Sequence, residues 1–136
     1  MFNLFLDCFR KKYFQFVGRA DRREYISFVL FNLLIIMLIN IIYFAIGSDW
    51  LILLKLSYML YSFIPSITLK VRRLHDLNLS GWWVAVLILV FILVKSLNEQ
   101  NIINIICLSF LVATVVYLTC KKGNSTPNKY GEPPEY

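Results

Sequence analysis

The sequence predicts an all-α membrane protein: four transmembrane helices in antiparallel hairpins, preceded by an N-terminal interfacial amphipathic helix. Three observations lead there. Of the 136 residues, 59% are hydrophobic and the mean hydropathy is +0.66, more apolar than a soluble domain of this size. The apolar residues gather into four runs, at about 25–46, 50–69, 82–97 and 102–119. Basic residues, finally, crowd beside alternate connections between those runs and are missing from the others.

The chain divides into an arm (1–24), a membrane domain (25–119) and a tail (120–136). In the arm, Phe2, Phe5, Leu6, Phe9, Tyr13, Phe16 and Val17 recur at helical spacing, while Asn3, Asp7, Arg10, Lys11 and Gln15 fall mostly opposite. The segment is too short and too charged to cross a bilayer. A helix over 2–17 is expected, its aromatic face resting either on lipid or on the protein itself. Gly18 ends it. Asp21 and Glu24 then mark the next helix start by their three-residue spacing and their charge. The first long apolar run begins near Ile26 and no small-residue cleavage site follows it, so no cleavable signal peptide is expected.

The first span, 25–46, covers the roughly 30 Å of hydrocarbon. Asn32 and Asn40 interrupt it, and amides in lipid bond across to other helices. Gly47, Ser48 and Asp49 form a tight turn, and Trp50 anchors the re-entering chain at the interface. The second span, 50–69, contains Pro65, which removes a backbone donor. Lys55, Tyr58, Ser62 and Ser66 follow one another at three, four and four residues, so they share a face. That polar stripe either packs between helices, with Lys55 snorkelling outward, or lines a hydrated pathway. A cytoplasmic turn is expected from Lys70. Ser80 then caps the third span, 82–97, with Trp82 and Trp83 at the interface. Lys95 is expected to snorkel, and a short turn carries Glu99. The fourth span, 102–119, includes Ser109, Ala113 and Thr114, which permit close helix approach. The tail holds three prolines and two glycines and reads as irregular.

Orientation follows from the cations. The arm carries Arg10, Lys11, Lys12, Arg19, Arg22 and Arg23; the central turn carries Lys70, Arg72 and Arg73; the tail carries Lys121, Lys122 and Lys129. The other two turns carry none. Both termini are therefore expected on the cytoplasmic side.

Arg72, Arg73, His75 and Asp76, joined by Arg19, Arg22 and Arg23, are the best candidate site. Three readings stay open: charges that tie the turn to the arm, a bidentate site for a lipid phosphate or other anion, or catalysis with His75 as a proton acceptor. Adjacency of His75 and Asp76 does not argue for a pair, since neighbours on a helix point about 100° apart. One histidine and three scattered cysteines (Cys8, Cys107, Cys120) suggest no metal site, no disulfide framework and no cofactor. The net charge of +6 fits anionic lipid better than nucleic acid, because the cations flank apolar runs.

Three blocks carry a family resemblance: FVGRADRREY (Phe16 to Tyr25), VRRLHDLNLSGWW (Val71 to Trp83) and GNSTPNKYGEPP (Gly123 to Pro134). Together and in this order they resemble the Domain of Unknown Function 805 family, four-span proteins of the bacterial inner membrane. The middle block is the specific one. The matches are Gly18, Arg19, Arg22, Glu24 and Tyr25, then Arg72 to Asp76, Ser80 to Trp83, and Asn128, Tyr130, Gly131 and Pro133. Ile26 stands where an aromatic is common, Asn78 replaces a usual glycine, and the third span lacks the usual Pro and Gly. The resemblance implies a polytopic inner-membrane protein but no particular activity. Homo-oligomerisation, as a channel-like, scaffold or regulatory component, is the preferred reading, with another membrane protein as a possible partner class. Binding of anionic lipid head groups at the Arg/His/Asp cluster is the alternative. By topology the three blocks should meet in one cytoplasmic cap.

Overall fold

The computed structural model describes residues 1–96 and 102–134. Five helices form its regular structure: α1 (Phe2–Arg10), α2 (Arg22–Ile46), α3 (Trp50–Asp76), α4 (Trp82–Ser96) and α5 (Ile102–Cys120). The described residues contain no strand, only one antiparallel bridge between Asn128 and Gly131. α2 and α3 are each long and apolar enough to cross a membrane, and α4 and α5 are shorter apolar helices. The Lys95 side chain and the turn expected to hold Glu99 lie outside the described residues.

α1 is shorter than its periodicity suggests. The amides of Lys11 and Lys12 both converge on the Asp7 carbonyl, each at 2.9 Å, and the helix stops at Arg10. Its aromatic face packs on protein. Phe5 and Cys8 are buried; the Phe5 ring lies 5.9 Å from Phe28 and 5.4 Å from Phe31, and Phe9 stacks on Tyr61 at 5.2 Å.

α3 runs past Leu69 to Asp76, so the first half of the stretch expected as a turn, Lys70 to Asp76, is instead the last two turns of a helix, and the turn itself is confined to 77–81. Leu, Lys and Arg favour helix, and the partners described below reward it. The helix stops at Asn78, which has φ +59. The Leu79 amide bonds the Leu74 carbonyl at 2.9 Å and the Asn78 amide bonds the His75 carbonyl at 3.0 Å. This is a Schellman stop, whose left-handed position suits glycine best and asparagine next. The departure at Asn78 is thus a tolerable one.

Pro65, inside α3, cannot donate to the carbonyl four residues back, that of Tyr61. The Tyr13 hydroxyl donates to that same carbonyl at 2.8 Å. The arm thus fills the gap the proline opens.

α2 packs against α1, α3 and α5, and α4 lies between α3 and α5. The buried apolar cluster sits at one end of this bundle, built from Phe5, Ala20, Tyr25, Phe28, Leu69, Leu74, Val84 and Leu118. Away from it the helices expose large apolar side chains, among them Leu33, Phe44, Leu60 and Phe110.

Candidate functional site

At the end of the bundle where α2 and α4 begin and α3 and α5 finish, three chain segments meet. Residues 69, 72, 73 and 76 recur at helical spacing on α3, and Leu69, Arg72, Arg73 and Asp76 are all buried. Two fully buried carboxylates, Glu24 and Asp76, serve the cations there. Glu24 accepts from Arg72 Nη2 at 2.8 Å and from Lys12 Nζ at 3.1 Å. Asp76 Oδ1 accepts from Arg19 Nε at 3.0 Å and Arg19 Nη2 at 2.8 Å, and its Oδ2 accepts from Arg73 Nη1.

The remaining guanidinium donors go to backbone carbonyls. Arg19 reaches Thr126 at 2.9 Å, Gly131 at 3.3 Å and also Asn124. Arg73 reaches Leu118 at 2.9 Å, Ala20 at 3.4 Å and Lys121. Leu118 belongs to the last turn of α5, where open carbonyls and the helix dipole favour a cation. Burying a charge is costly unless it is paired and hydrogen-bonded, and this network meets that demand almost completely. Arg72 Nε is a buried donor without a partner.

The tail is fastened by backbone and ring contacts. The Asn124 amide donates to the Asp76 carbonyl at 3.0 Å, and Asn128 Nδ2 donates to the His75 carbonyl at 2.9 Å. Tyr130 stacks on the His75 ring, 3.8 Å between centroids and 7° from parallel. A β-carbon on Gly123 would collide with the Asp76 carboxylate, so only glycine allows the chain to pass so closely there.

His75 and Asp76 work apart. Asp76 is spent on Arg19 and Arg73, while His75 Nδ1 lies 3.2 Å from the Gly18 carbonyl; a carbonyl only accepts, so Nδ1 carries the proton. His75 is beyond the apolar part of α3, and burial lowers its pKa against the opposing pull of the Gly18 bond. Cys8, 3.8 Å from Glu24, is pushed up to about 12, mainly by burial and then by the Glu24 charge. It is an inert thiol at neutral pH.

Of the expected site residues, Arg19, Arg72, Arg73, His75 and Asp76 come together here. Arg22 is half-buried at the rim and Arg23 is exposed. The set expected within the membrane lies elsewhere and pairs α2 with α3: Lys55 Nζ donates to Asn40 Oδ1 at 2.8 Å and Tyr58 donates to Asn32 Oδ1 at 2.6 Å. Ser62 donates to its own helix at Met59, 3.3 Å away, and Ser66 Oγ accepts from Lys70 at 3.4 Å. Trp50 opens α3 at the far end of the bundle, Trp82 and Trp83 open α4 beside the cap, and all three are exposed.

The arm, the α3–α4 connection and the tail therefore form one cap, and each contributes one of the three sequence blocks. A sequence profile described as "Protein of unknown function (DUF805)" matches residues 13–132, from the Tyr13 contact on α3 to just past the Asn128–Gly131 bridge. The chain belongs to the DUF805 family. Two similar curated proteins come from Escherichia coli strain K12. Inner membrane protein YhaI is 34% identical over 126 residues, covering 93% of this chain and 91% of the relative. Inner membrane protein YhaH is 26% identical over 128 residues, covering 92% and 91%. No solved structure matches the chain. The relatives and the two long apolar helices together support membrane character for this DUF805 chain.

Sequence reasoning overlooks several members of the cap. It assigns Glu24 to a helix start, although the side chain reaches Arg72 and Lys12. The charge ratio carries the hint: two buried acids among so many cations must each be shared. The carbonyls of Leu118, Lys121, Asn124 and Thr126 leave no signal at all, because acceptors on the main chain have no side-chain signature.

Proposed function

We propose that this is a four-span protein of the bacterial inner membrane, with α2 to α5 crossing and both termini cytoplasmic, that acts as a non-enzymatic, self-assembling scaffold or regulatory component. Twelve cations flank the cap end of the bundle and none lies in the 47–49 turn or at 97–101, which favours placing the cap in the cytoplasm. Under this reading Trp50 marks the outer interface, Trp82 and Trp83 mark the inner one, and the first turns of α1 lie at head-group depth.

The observation that carries the reading is the state of the cap's polar groups. Arg19, Arg72, Arg73, Glu24 and Asp76 are consumed by one another and by backbone carbonyls. Cys8 is protonated, and His75 is stacked under Tyr130. Such a cap holds segments together and, among the described residues, presents no nucleophile beside a base. The stripe of Lys55 and Tyr58 ties to Asn40 and Asn32, which suits helix packing more than a conducting path. Exposed apolar faces on α2, α4 and α5 then leave area for lipid and for a second copy.

Mass measurement in lipid nanodiscs tests this, combined with ion flux in proteoliposomes. The expected result is a defined oligomer without flux. A monomer at every protein-to-lipid ratio, or flux abolished by Lys55→Leu, overturns it. The alternative, anion or head-group binding at the cap, retains support in the rim residues Arg22 and Arg23, whose side chains lie outside the buried network.

A further inference from the structure

Beside the cap, α3, α4 and α5 enclose a cavity of about 530 Å³, inside the roughly 300–1,000 Å³ typical of small-molecule sites. Its shape follows from its walls. On α3 the lining residues Lys70, Ile67, Ser66 and Phe63 descend one face at helical spacing, about 10 Å along the axis at 1.5 Å per residue. On α4 the lining runs from Trp83 to Phe91, and on α5 from Leu118 back to Phe110. The result is a slot parallel to the helices. Among the described residues its far end, at Phe63, Phe91 and Phe110, is apolar, and toward the cap it runs past Lys70 to Leu74.

Lys70 is the one charged group among the described lining residues. Its ammonium donates to Ser66 Oγ at 3.4 Å and takes part in none of the salt bridges among the described residues. That sets it apart from its neighbours in the cap. Arg72 and Arg73, two and three residues on, are each paired with a carboxylate. Lys70 is half-buried in a largely apolar wall with no acid to meet it among the described residues, an arrangement that costs free energy until an anion arrives. The cavity also borders Tyr25, whose hydroxyl is buried without a partner. A cation toward the cap side and a largely apolar slot below it complement one class of molecule, an anionic amphiphile.

We propose that this cavity binds an anionic lipid of the cytoplasmic leaflet, with one acyl chain in the slot between α3, α4 and α5 and the acidic head group on Lys70. The proposal rests on the membrane placement given above and not on self-assembly. Lys70 is the first charged residue after the apolar run that ends at Leu69, so the placement sets it at head-group depth. The apolar chain supplies burial, and Lys70 supplies the preference for negative charge.

Trp83 lines the cavity and reports on it. The test uses the full chain with Trp50→Phe and Trp82→Phe, so that Trp83 is the only indole, reconstituted with phosphatidylcholine. Brominated phosphatidylglycerol or brominated phosphatidylcholine is then titrated in, and quenching is compared. The expected preference for the anionic lipid is about fivefold, the worth of one cation at the head-group level. It is lost in Lys70→Met and in Lys70→Gln, and kept in Lys70→Arg. Equal quenching by both lipids, or a preference that survives both neutral variants, overturns the proposal. A companion chain retaining only Trp50 separates the causes of failure. If Trp50 is quenched while Trp83 is protected from both lipids, a second copy fills the slot and the lipid site is wrong. If neither indole is quenched, the membrane placement falls and the lipid site falls with it.

Discussion

At the cap, Arg19, Arg72, Arg73, Glu24 and Asp76 are buried within hydrogen-bonding distance of partners from the arm, α2, α3, α5 and the tail. Along α4 and α5, side chains such as Leu89, Phe91, Ile105 and Phe110 are exposed, and these apolar groups relate one helix to the next by shape alone. The difference concerns specificity. Apolar contacts are non-directional, so rods of Leu, Ile and Val can slide or rotate at small cost. A buried guanidinium accepts only arrangements that satisfy its charge and its donors. The cap therefore fixes how the helices are arranged, and the apolar segments provide length and area.

The comparison breaks most visibly at Asp76. Asp76→Ala strands two buried guanidiniums, and loss of one partner of a buried pair costs about 3–5 kcal/mol. Unfolding in mild detergent should show a loss at least that large, with the tail becoming protease-sensitive. An equally drastic change on the apolar side, such as Leu89→Ala at an exposed position, should shift stability several-fold less. Next in size is Gly123→Ala. Its added methyl group meets the Asp76 carboxylate, and overpacking of this kind costs about 1–3 kcal/mol; an unchanged midpoint would mean the tail does not lie on Asp76.

How much of this is legible in the sequence divides along the same line. The helices can be read from hydropathy because apolar runs betray themselves by length. The three polar blocks stand out, and their joining at one end follows once alternate connections are placed on one side. Which acid meets which base is not legible. Glu24 and Arg72 are far apart in sequence and are brought together by the α2–α3 hairpin, and no local pattern states that. The extent of α3 is misread for a related reason: polar residues after Leu69 look like a turn until buried partners are known to hold them in helix. α1 is legible as an amphipathic segment, but not that Phe28, Phe31 and Tyr61 receive its aromatic face.

Smaller effects sharpen the account at its joints. Tyr13→Phe removes the donor that fills the Tyr61 carbonyl left open by Pro65, and should cost about 0.5–1.5 kcal/mol. In a Pro65→Ala background the restored backbone amide serves that carbonyl instead, so the same substitution should cost little. Equal costs in both backgrounds would separate the arm from the proline. Smallest is Asn78→Gly. Relief of the left-handed residue at the end of α3 should stabilise by about 0.5 kcal/mol, read as a rise in melting temperature; a fall would deny the Schellman stop.

The buried pairing at the cap is tested most directly by a double-mutant cycle on Glu24 and Arg72, measured by unfolding in detergent or nanodiscs. Glu24→Leu should cost about 3–5 kcal/mol, and Arg72→Met less, since Lys12 still meets Glu24. The double variant should lose less than the two single losses together, because no uncompensated charge remains between the two positions. Additive losses, with the double variant the least stable of the three, would contradict a direct ion pair between α2 and α3 and with it the charge-fixed cap.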